Sequence, residues 1–382
     1  MLHTSPSGRL KIVCDDKVKY LKGVLEPFAE VTYLPGSRIS AQDVKDAHAL
    51  LVRTRTNCNA QLLQGSSVKF IGTATIGFDH IDTEWVQQQG ITWTNAPGCN
   101  SGSVKQYIAA LLALLTTEKG IDLKGKTLGI VGVGNVGRKV ARVAAAFGMK
   151  VLQNDPPRER AGESGFVSFN DLLKQSDIVT FHVPYIKTGI DQTFHLFNTQ
   201  TLDVIKPGAI LINTSRGEVT ATDAVLEGLN RGILSEAVLD VWENEPNISL
   251  PLLNRCFIAT PHIAGYSVDG KAMGSAMTIR ALAKYFGIPL TDWYPSSLPQ
   301  PETPLLTLSR AHATTQQALA ELVLKTYPLR RDDADLRGDT SRFEELRGSY
   351  PVRREFGAYQ LGGDHLTPEI VEAWKGLVEP QP

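Results

Sequence analysis

Short apolar runs alternate with longer amphipathic stretches from residue 10 to about residue 260. In the first hundred residues, the runs at 10–15, 30–34, 48–52 and 68–74 predict strands. Helical patterns lie between them, one of which begins at Ser40 as N-cap with Asp43 three positions on. A long helix is predicted over 102–119. It is apolar around much of its circumference, through Tyr107, Ile108, Leu111, Leu112, Leu114 and Leu115. Strands then follow at 127–131, 150–155, 178–183, 209–214, 236–241 and 257–260. Strands alternating with helices predict parallel sheets covered on both faces. The six later strands make a complete dinucleotide-binding unit.

Punctuation divides the rest of the chain. Pro289, Pro295, Pro299, Pro301 and Pro304 are too dense for a helix or central strand, so a domain boundary is expected there. Beyond it, residues 330–355 hold seven Arg and seven acidic residues. A stretch without net charge predicts a solvated or subunit-pairing surface laced with ion pairs, not a nucleic-acid arm.

Composition narrows the class. The 382 residues suggest two or three domains, and 42% hydrophobic with 21% charged residues is ordinary globular usage. Lys plus Arg is 39 and Asp plus Glu is 40, which argues against charge-driven binding to nucleic acid. The first nine residues read as a short polar tail and no apolar run is long enough for a bilayer, so no membrane partner and a cytoplasmic location are expected. Cys14, Cys58, Cys99 and Cys256 are scattered, which predicts neither a disulfide framework nor a metal site.

The turn Gly132-Val133-Gly134-Asn135-Val136-Gly137 follows one predicted strand and opens a helix, and Asp155 ends the next strand 18 residues after Gly137. Glycines there permit a tight turn and close approach of a pyrophosphate to a helix N-terminus. An acid at that distance accepts from ribose hydroxyls and repels a 2′-phosphate, so NAD is favoured over NADP. Arg158 and Arg160, close behind, pull the other way.

Three polar residues each follow a predicted strand: Arg216 in Asn-Thr-Ser-Arg-Gly, Glu245 in Trp-Glu-Asn-Glu-Pro, and His262 in Thr-Pro-His-Ile-Ala-Gly. Ligands of open parallel sheets bind at the carboxyl ends of the strands. A guanidinium fits a carboxylate through two parallel hydrogen bonds. An imidazole, with an ordinary pKa of about 6.5, suits proton transfer near neutrality. A carboxylate on that imidazole orients it and favours its protonated form. Together they make a dehydrogenase site for a 2-hydroxy acid that needs no metal. Singly, each has an ordinary structural explanation, and His182, at the end of an earlier strand, is the competing histidine.

These residues resemble the D-isomer-specific 2-hydroxyacid dehydrogenase family, and the likeness reaches the first lobe through Gly72-Thr-Ala-Thr-Ile-Gly-Phe-Asp-His-Ile-Asp82 and Asn95-Ala-Pro-Gly98. Within the family the chain looks most like the branch that oxidises 4-phospho-D-erythronate on the route to pyridoxal 5′-phosphate. That likeness rests on Gly72–Thr75, Pro261–Tyr266 and the C-terminal extension with Arg330-Arg-Asp-Asp333 and Tyr350-Pro-Val-Arg-Arg-Glu355. The resemblance implies two doubly wound parallel-sheet lobes, a flavodoxin-like substrate lobe (8–101, completed by 268–286) and a Rossmann NAD lobe (102–267). It adds a C-terminal α/β dimerisation domain (287–382) and an active cleft that closes on a hinge. It implies that Thr54, Thr75 and Tyr266 touch substrate. NAD would be met by Gly132, Gly134, Asn135, Val136, Gly137, Asp155, Thr214, Ser215, Arg216, Asp240 and Gly265. Val183, Thr54 and Ser215 depart from the family's usual residues, and none of them belongs to the catalytic three. Arg53 and Arg55, flanking Thr54, are candidates for the substrate phosphate. A 3-phosphoglycerate dehydrogenase, or an NAD(H)-sensing corepressor with no turnover, remain alternatives. The apolar circumference of the 102–119 helix, through which related enzymes pair, predicts a two-fold homodimer.

Overall fold

The structure is a computed structural model and describes residues 9–378, so the expected N-terminal tail falls outside it except for Arg9. Among the described residues two compact units emerge, one from 9–100 with 267–299 and the other from 101–266 with 300–378. The segment 287–382 is thus divided between them near residue 300.

In the first unit, β1 (Leu10–Asp15), β2 (Ala29–Leu34), β3 (Ala49–Val52), β4 (Phe70–Thr73) and β5 (Thr92–Thr94) form a parallel sheet in the order β2-β1-β3-β4-β5. This is the flavodoxin-like order expected. Strand β5, Thr-Trp-Thr, is an addition to the expected four; three residues without an apolar run give no periodic signal. The helix Val268–Phe286 belongs to this unit, its Ile279, Leu282, Ala283 and Phe286 sharing a core with Ile12, Cys14, Leu51 and Phe70. Gly72 allows the approach, since a Cβ there would lie 2.6 Å from Thr278 Cγ2.

The second unit is built on β6 (Thr127–Val131), β7 (Lys150–Asn154), β8 (Ile178–Phe181), β9 (Ala209–Asn213), β10 (Leu234–Leu239) and β11 (Ile258–Ala259). All are parallel, in the order β11-β10-β9-β8-β6-β7. Beyond β7, Val167 donates its N–H to Gln153 at 2.8 Å without forming a strand. Five strands stop short of their expected ends. The trimmed residues have other work: Asp155 caps the next helix, and Asp240 turns its carboxylate toward a loop.

Five helices of this unit matter below: α1 (Ser101–Glu118), α2 (Asn135–Ala146), α3 (Thr315–Thr326), α4 (Leu329–Gly338) and α5 (Pro368–Leu377). Every residue of α1 from Ser101 to Thr116 is buried. The apolar circumference read as a face for another subunit is covered within the chain, by α2 and by α3 of the extension. Even its polar residues find partners there: Lys105 Nζ donates to Leu377 O at 2.6 Å, and Gln106 Nε2 to Arg354 O at 2.8 Å. The extension's Leu306, Leu319, Leu322, Val323, Phe356 and Trp374 join the same core as β6 and α1.

The charged stretch also differs from expectation. Part of it does face solvent, with exposed pairs such as Arg342–Glu345. However, Asp332, Asp333, Arg353 and Arg354 are all buried. Buried charges need partners, and here several of these partners are backbone groups of the nucleotide-type sheet.

Candidate active site

The glycine turn is organised by its own backbone. Gly132 has φ +87°, and a Cβ on it would lie 2.6 Å from His182 O. A Cβ on Gly137 would lie 2.1 Å from Gly132 O, so this glycine lets the helix close on the strand. Gly134 differs: its φ is an ordinary −77°, and a Cβ there would meet nothing within 4 Å. No packing contact inside the protein requires glycine at 134, whereas the close passage of a ligand along the backbone would favour it. Gly134 N-caps α2 without a side-chain hydrogen bond, so the first-turn amides at Asn135, Val136 and Gly137 present a seat for a pyrophosphate. The residues fit NAD.

Asp155 lies beside that turn. Its Oδ2 accepts the Val133 N–H at 2.8 Å and its Oδ1 the Arg158 N–H at 3.2 Å. The two arginines that could have drawn a 2′-phosphate are already paired, Arg158 with Glu163 and Arg160 with Asp191. Arg158 also donates to Val133 O at 2.6 Å.

The histidine sits in the loop after β11. Its Nδ1 is 2.8 Å from Glu245 Oε2, and Glu245 Oε1 accepts the Trp242 N–H at 2.9 Å. Burial pushes the Glu245 carboxyl up, but the hydrogen bond and charge of His262, the Trp242 N–H and the charge of Arg347 outweigh it. The group is held below the ordinary carboxylate range. An ionised Glu245 only accepts, so Nδ1 carries the proton and Nε2 of a neutral ring is free to act as a base. His262 itself has φ +57°, the left-handed region that side chains rarely adopt.

Asp240 holds that conformation. Its main-chain oxygen accepts the His262 N–H at 2.7 Å. Its Oδ1 accepts Ile263 N–H at 2.8 Å and Thr260 Oγ1 at 2.6 Å, and its Oδ2 accepts Ala264 N–H at 2.9 Å. Burial raises its pKa, opposed by His262 and these donors. Thr260 uses its proton on Asp240, so Tyr107 of α1 donates to Thr260 Oγ1 at 2.8 Å. Trp242 Nε1 adds a bond to Thr260 O at 3.0 Å.

Arg216 follows β9, half-buried, with Nη1 on Ser215 O at 2.8 Å. Its loop is shaped by Asn213. That side chain accepts Ser215 N–H at 3.0 Å and Ser215 Oγ at 2.8 Å, and donates to Arg216 O at 2.8 Å. Gly217 brings this loop against the one carrying Glu245, since a Cβ there would lie 2.0 Å from Trp242 O.

The other expected residues are placed as follows. Tyr266 and Gly265 are half-buried in the His262 loop, and the Tyr266 ring meets Tyr350 edge-on at 5.7 Å. Thr214 Oγ1 is 3.4 Å from His182 Nδ1. His182 is pushed down to about 3 by burial, which leaves it neutral and unsuited to proton transfer near pH 7. Thr54, Thr75 and Arg53 belong to the first unit: Thr54 and Arg55 are exposed in the turn after β3 and Arg53 is half-buried. Thr75 Oγ1 donates to Gly77 O at 2.9 Å. Among the described residues, no three His, Cys, Asp or Glu gather to hold a metal ion, and no helix is long and apolar enough to cross a membrane.

Sequence reading missed Asn213, Thr260, Trp242, Tyr107 and Arg353. Asn213 had a signal, an amide closing the wholly apolar strand Ala-Ile-Leu-Ile. The others look like ordinary core or surface residues until the chain is folded.

Comparison with known proteins places the chain. Residues 112–264 match the D-isomer specific 2-hydroxyacid dehydrogenase, NAD binding domain, and residues 297–373 match a domain of unknown function (DUF3410). The chain is 50% identical over 354 residues to the erythronate-4-phosphate dehydrogenase of Bacteroides fragilis, covering 92% of this chain and 99% of that protein. It is 44% identical over 362 residues to the same-named enzyme of Proteus mirabilis, covering 94% and 96%. Among solved structures, D-lactate dehydrogenase from Aquifex aeolicus complexed with NAD and lactic acid is 27% identical with a TM-score of 0.61, covering 73% of this chain and 96% of that one. The chain belongs to the erythronate-4-phosphate dehydrogenases within the D-2-hydroxyacid dehydrogenase family.

Proposed function

We propose, from that membership, that this chain oxidises erythronate 4-phosphate at its C2 hydroxyl, with NAD as the hydride acceptor. The observation that carries the reading is the 2.8 Å contact between His262 Nδ1 and Glu245 Oε2, in the same unit as a glycine turn suited to a pyrophosphate. His262 Nε2 takes the proton from the C2 oxygen as the C2 hydride departs, leaving a 2-oxo acid. Glu245 keeps the ring oriented and stabilises the imidazolium that results. Arg216 binds the substrate carboxylate and polarises the forming carbonyl. Thr54, Thr75 and Tyr266 complete the contacts to the acid, and Arg53 is the proposed seat for its phosphate. The supporting points are the family's names and the placement of these residues at strand ends. A cytoplasmic two-fold homodimer is part of the same reading.

The test is NADH formation with erythronate 4-phosphate, set beside 3-phosphoglycerate and D-lactate. Turnover with erythronate 4-phosphate in preference to the others is expected. His262→Ala should lower kcat by about 10³-fold while NAD still binds. Preference for another acid would retain the chemistry and overturn the substrate. Silence with every acid, despite NAD binding, would overturn the dehydrogenase reading.

A further inference from the structure

Arg353 is nearly sealed from solvent, at 4% exposure. Its Nη2 donates to Ala264 O at 2.7 Å and lies 3.5 Å from Ile263 O. These are carbonyls of the two residues immediately after His262. On the other side, Asp240 takes the N–H groups of the same two residues. The peptide joining Ile263 to Ala264 therefore has its N–H on a carboxylate and its carbonyl toward a guanidinium. Its dipole runs between two buried groups of opposite charge, which fixes its orientation far more firmly than either alone.

The guanidinium is itself held from the extension. Its carbon lies 4.3 Å from the Tyr327 ring centroid and 5.6 Å from that of Tyr350. Both phenols donate to Asp332 Oδ2, at 2.7 and 2.6 Å. A second tie comes from α4, where Asp333 Oδ1 accepts the Ala259 N–H at 2.8 Å, just before the loop. The loop thus carries a histidine in the left-handed region and is gripped at its start by Asp333 and after His262 by Arg353. Residues in such backbone regions persist only when their surroundings over-determine them.

We propose that the C-terminal extension is a working part of the catalytic apparatus, with Arg353 a positioning residue that holds the His262 loop in its reactive geometry. The proposal rests on the dehydrogenase reading for its kinetic consequence, but not for the clamp itself. An extension whose only task was subunit pairing would not need to send a buried guanidinium to the two carbonyls beside the catalytic residue. Gln316 supplies the contrast. It also ties the extension to the second unit's core, accepting the Leu123 N–H and donating to Ile121 O at 2.9 Å each, but it touches the segment after α1 and not the loop.

The experiment compares Arg353→Met with Gln316→Met in the full chain. In Arg353→Met, kcat is expected to fall about 100-fold, because small misplacements of a reacting group cost that much. The Kd for NAD should stay within about twofold, and amide exchange across residues 259–266 should accelerate about tenfold or more. Gln316→Met should lose comparable thermal stability with kcat and loop exchange unchanged. Wild-type kcat and wild-type loop exchange in Arg353→Met would overturn the proposal, and so would equal losses of kcat in both variants. Should Arg353→Met fail to fold, Arg353→Lys decides. It keeps the charge but lacks the planar fork, so kcat should fall about tenfold with NAD binding intact, and wild-type kcat there would equally overturn the clamp. If the wild-type protein turns over no acid, the dehydrogenase reading fails by itself, and the exchange comparison still reads the clamp.

Discussion

The glycine turn at 132–137 and the histidine loop at 259–266 both lie at the carboxyl ends of strands in one sheet, yet they are held by opposite means. The turn is held by neighbours in sequence and by backbone: a positive φ at Gly132 and the press of Gly137 on Gly132 O. The loop is held by side chains from far along the chain, with Tyr107 before it, Asp240 just after β10, and Asp333 and Arg353 from the extension. The turn is suited to a cofactor's pyrophosphate, a group of constant shape. In the proposed reaction the loop has to position a proton-transfer group to a fraction of an ångström, and such precision calls for constraints from several directions.

The sharpest way to break this comparison is Gly137→Ala. Its new methyl meets a backbone oxygen that cannot swing away, so a loss of about 3 kcal/mol and of NAD binding is expected from urea unfolding and cofactor titration. Gly134→Ala tests the same turn from outside. Stability should be unchanged while NAD affinity drops, and a drop in stability would mean that Gly134 has a structural duty after all. In the loop, Asp240→Asn sets an amide against donors on at least one side, which should cost about 2 kcal/mol. It should also lower kcat more than it raises the NAD Kd.

The smallest effect is in acid. Glu245 is held below its ordinary pKa, so its contribution to stability is complete above the unfolded value of about 4.3 and is lost as pH falls through the lowered folded value. The stability gap between wild type and Glu245→Gln should therefore be flat from neutrality down to about pH 5 and shrink below it. A gap that stays constant into strong acid would show that the carboxylate charge is not what matters.

Much of this was legible before folding. The eleven strands of the two large sheets were anticipated except β5, and the glycine turn, Asp155, Arg216, Glu245 and His262 stood out by residue type and position after strands. The extension was misread in two respects. Its charges suggested solvent or a partner, whereas Asp332, Asp333 and Arg353 turn inward. The apolar helix 101–118 suggested a subunit interface, whereas the extension itself covers it. Both errors have one cause: periodicity reports that a face must be covered, but not by what.

Local patterns determined the strands, the helices and the phosphate turn by themselves, because φ preferences, side-chain alternation and glycine clearances act over a few residues. Which carbonyl Arg353 would reach, and that Asp240 would gather three donors around a strained histidine, only the tertiary structure decided. Those contacts join positions up to 90 residues apart in the chain, and a charge shows its partner only once burial has removed water as the alternative.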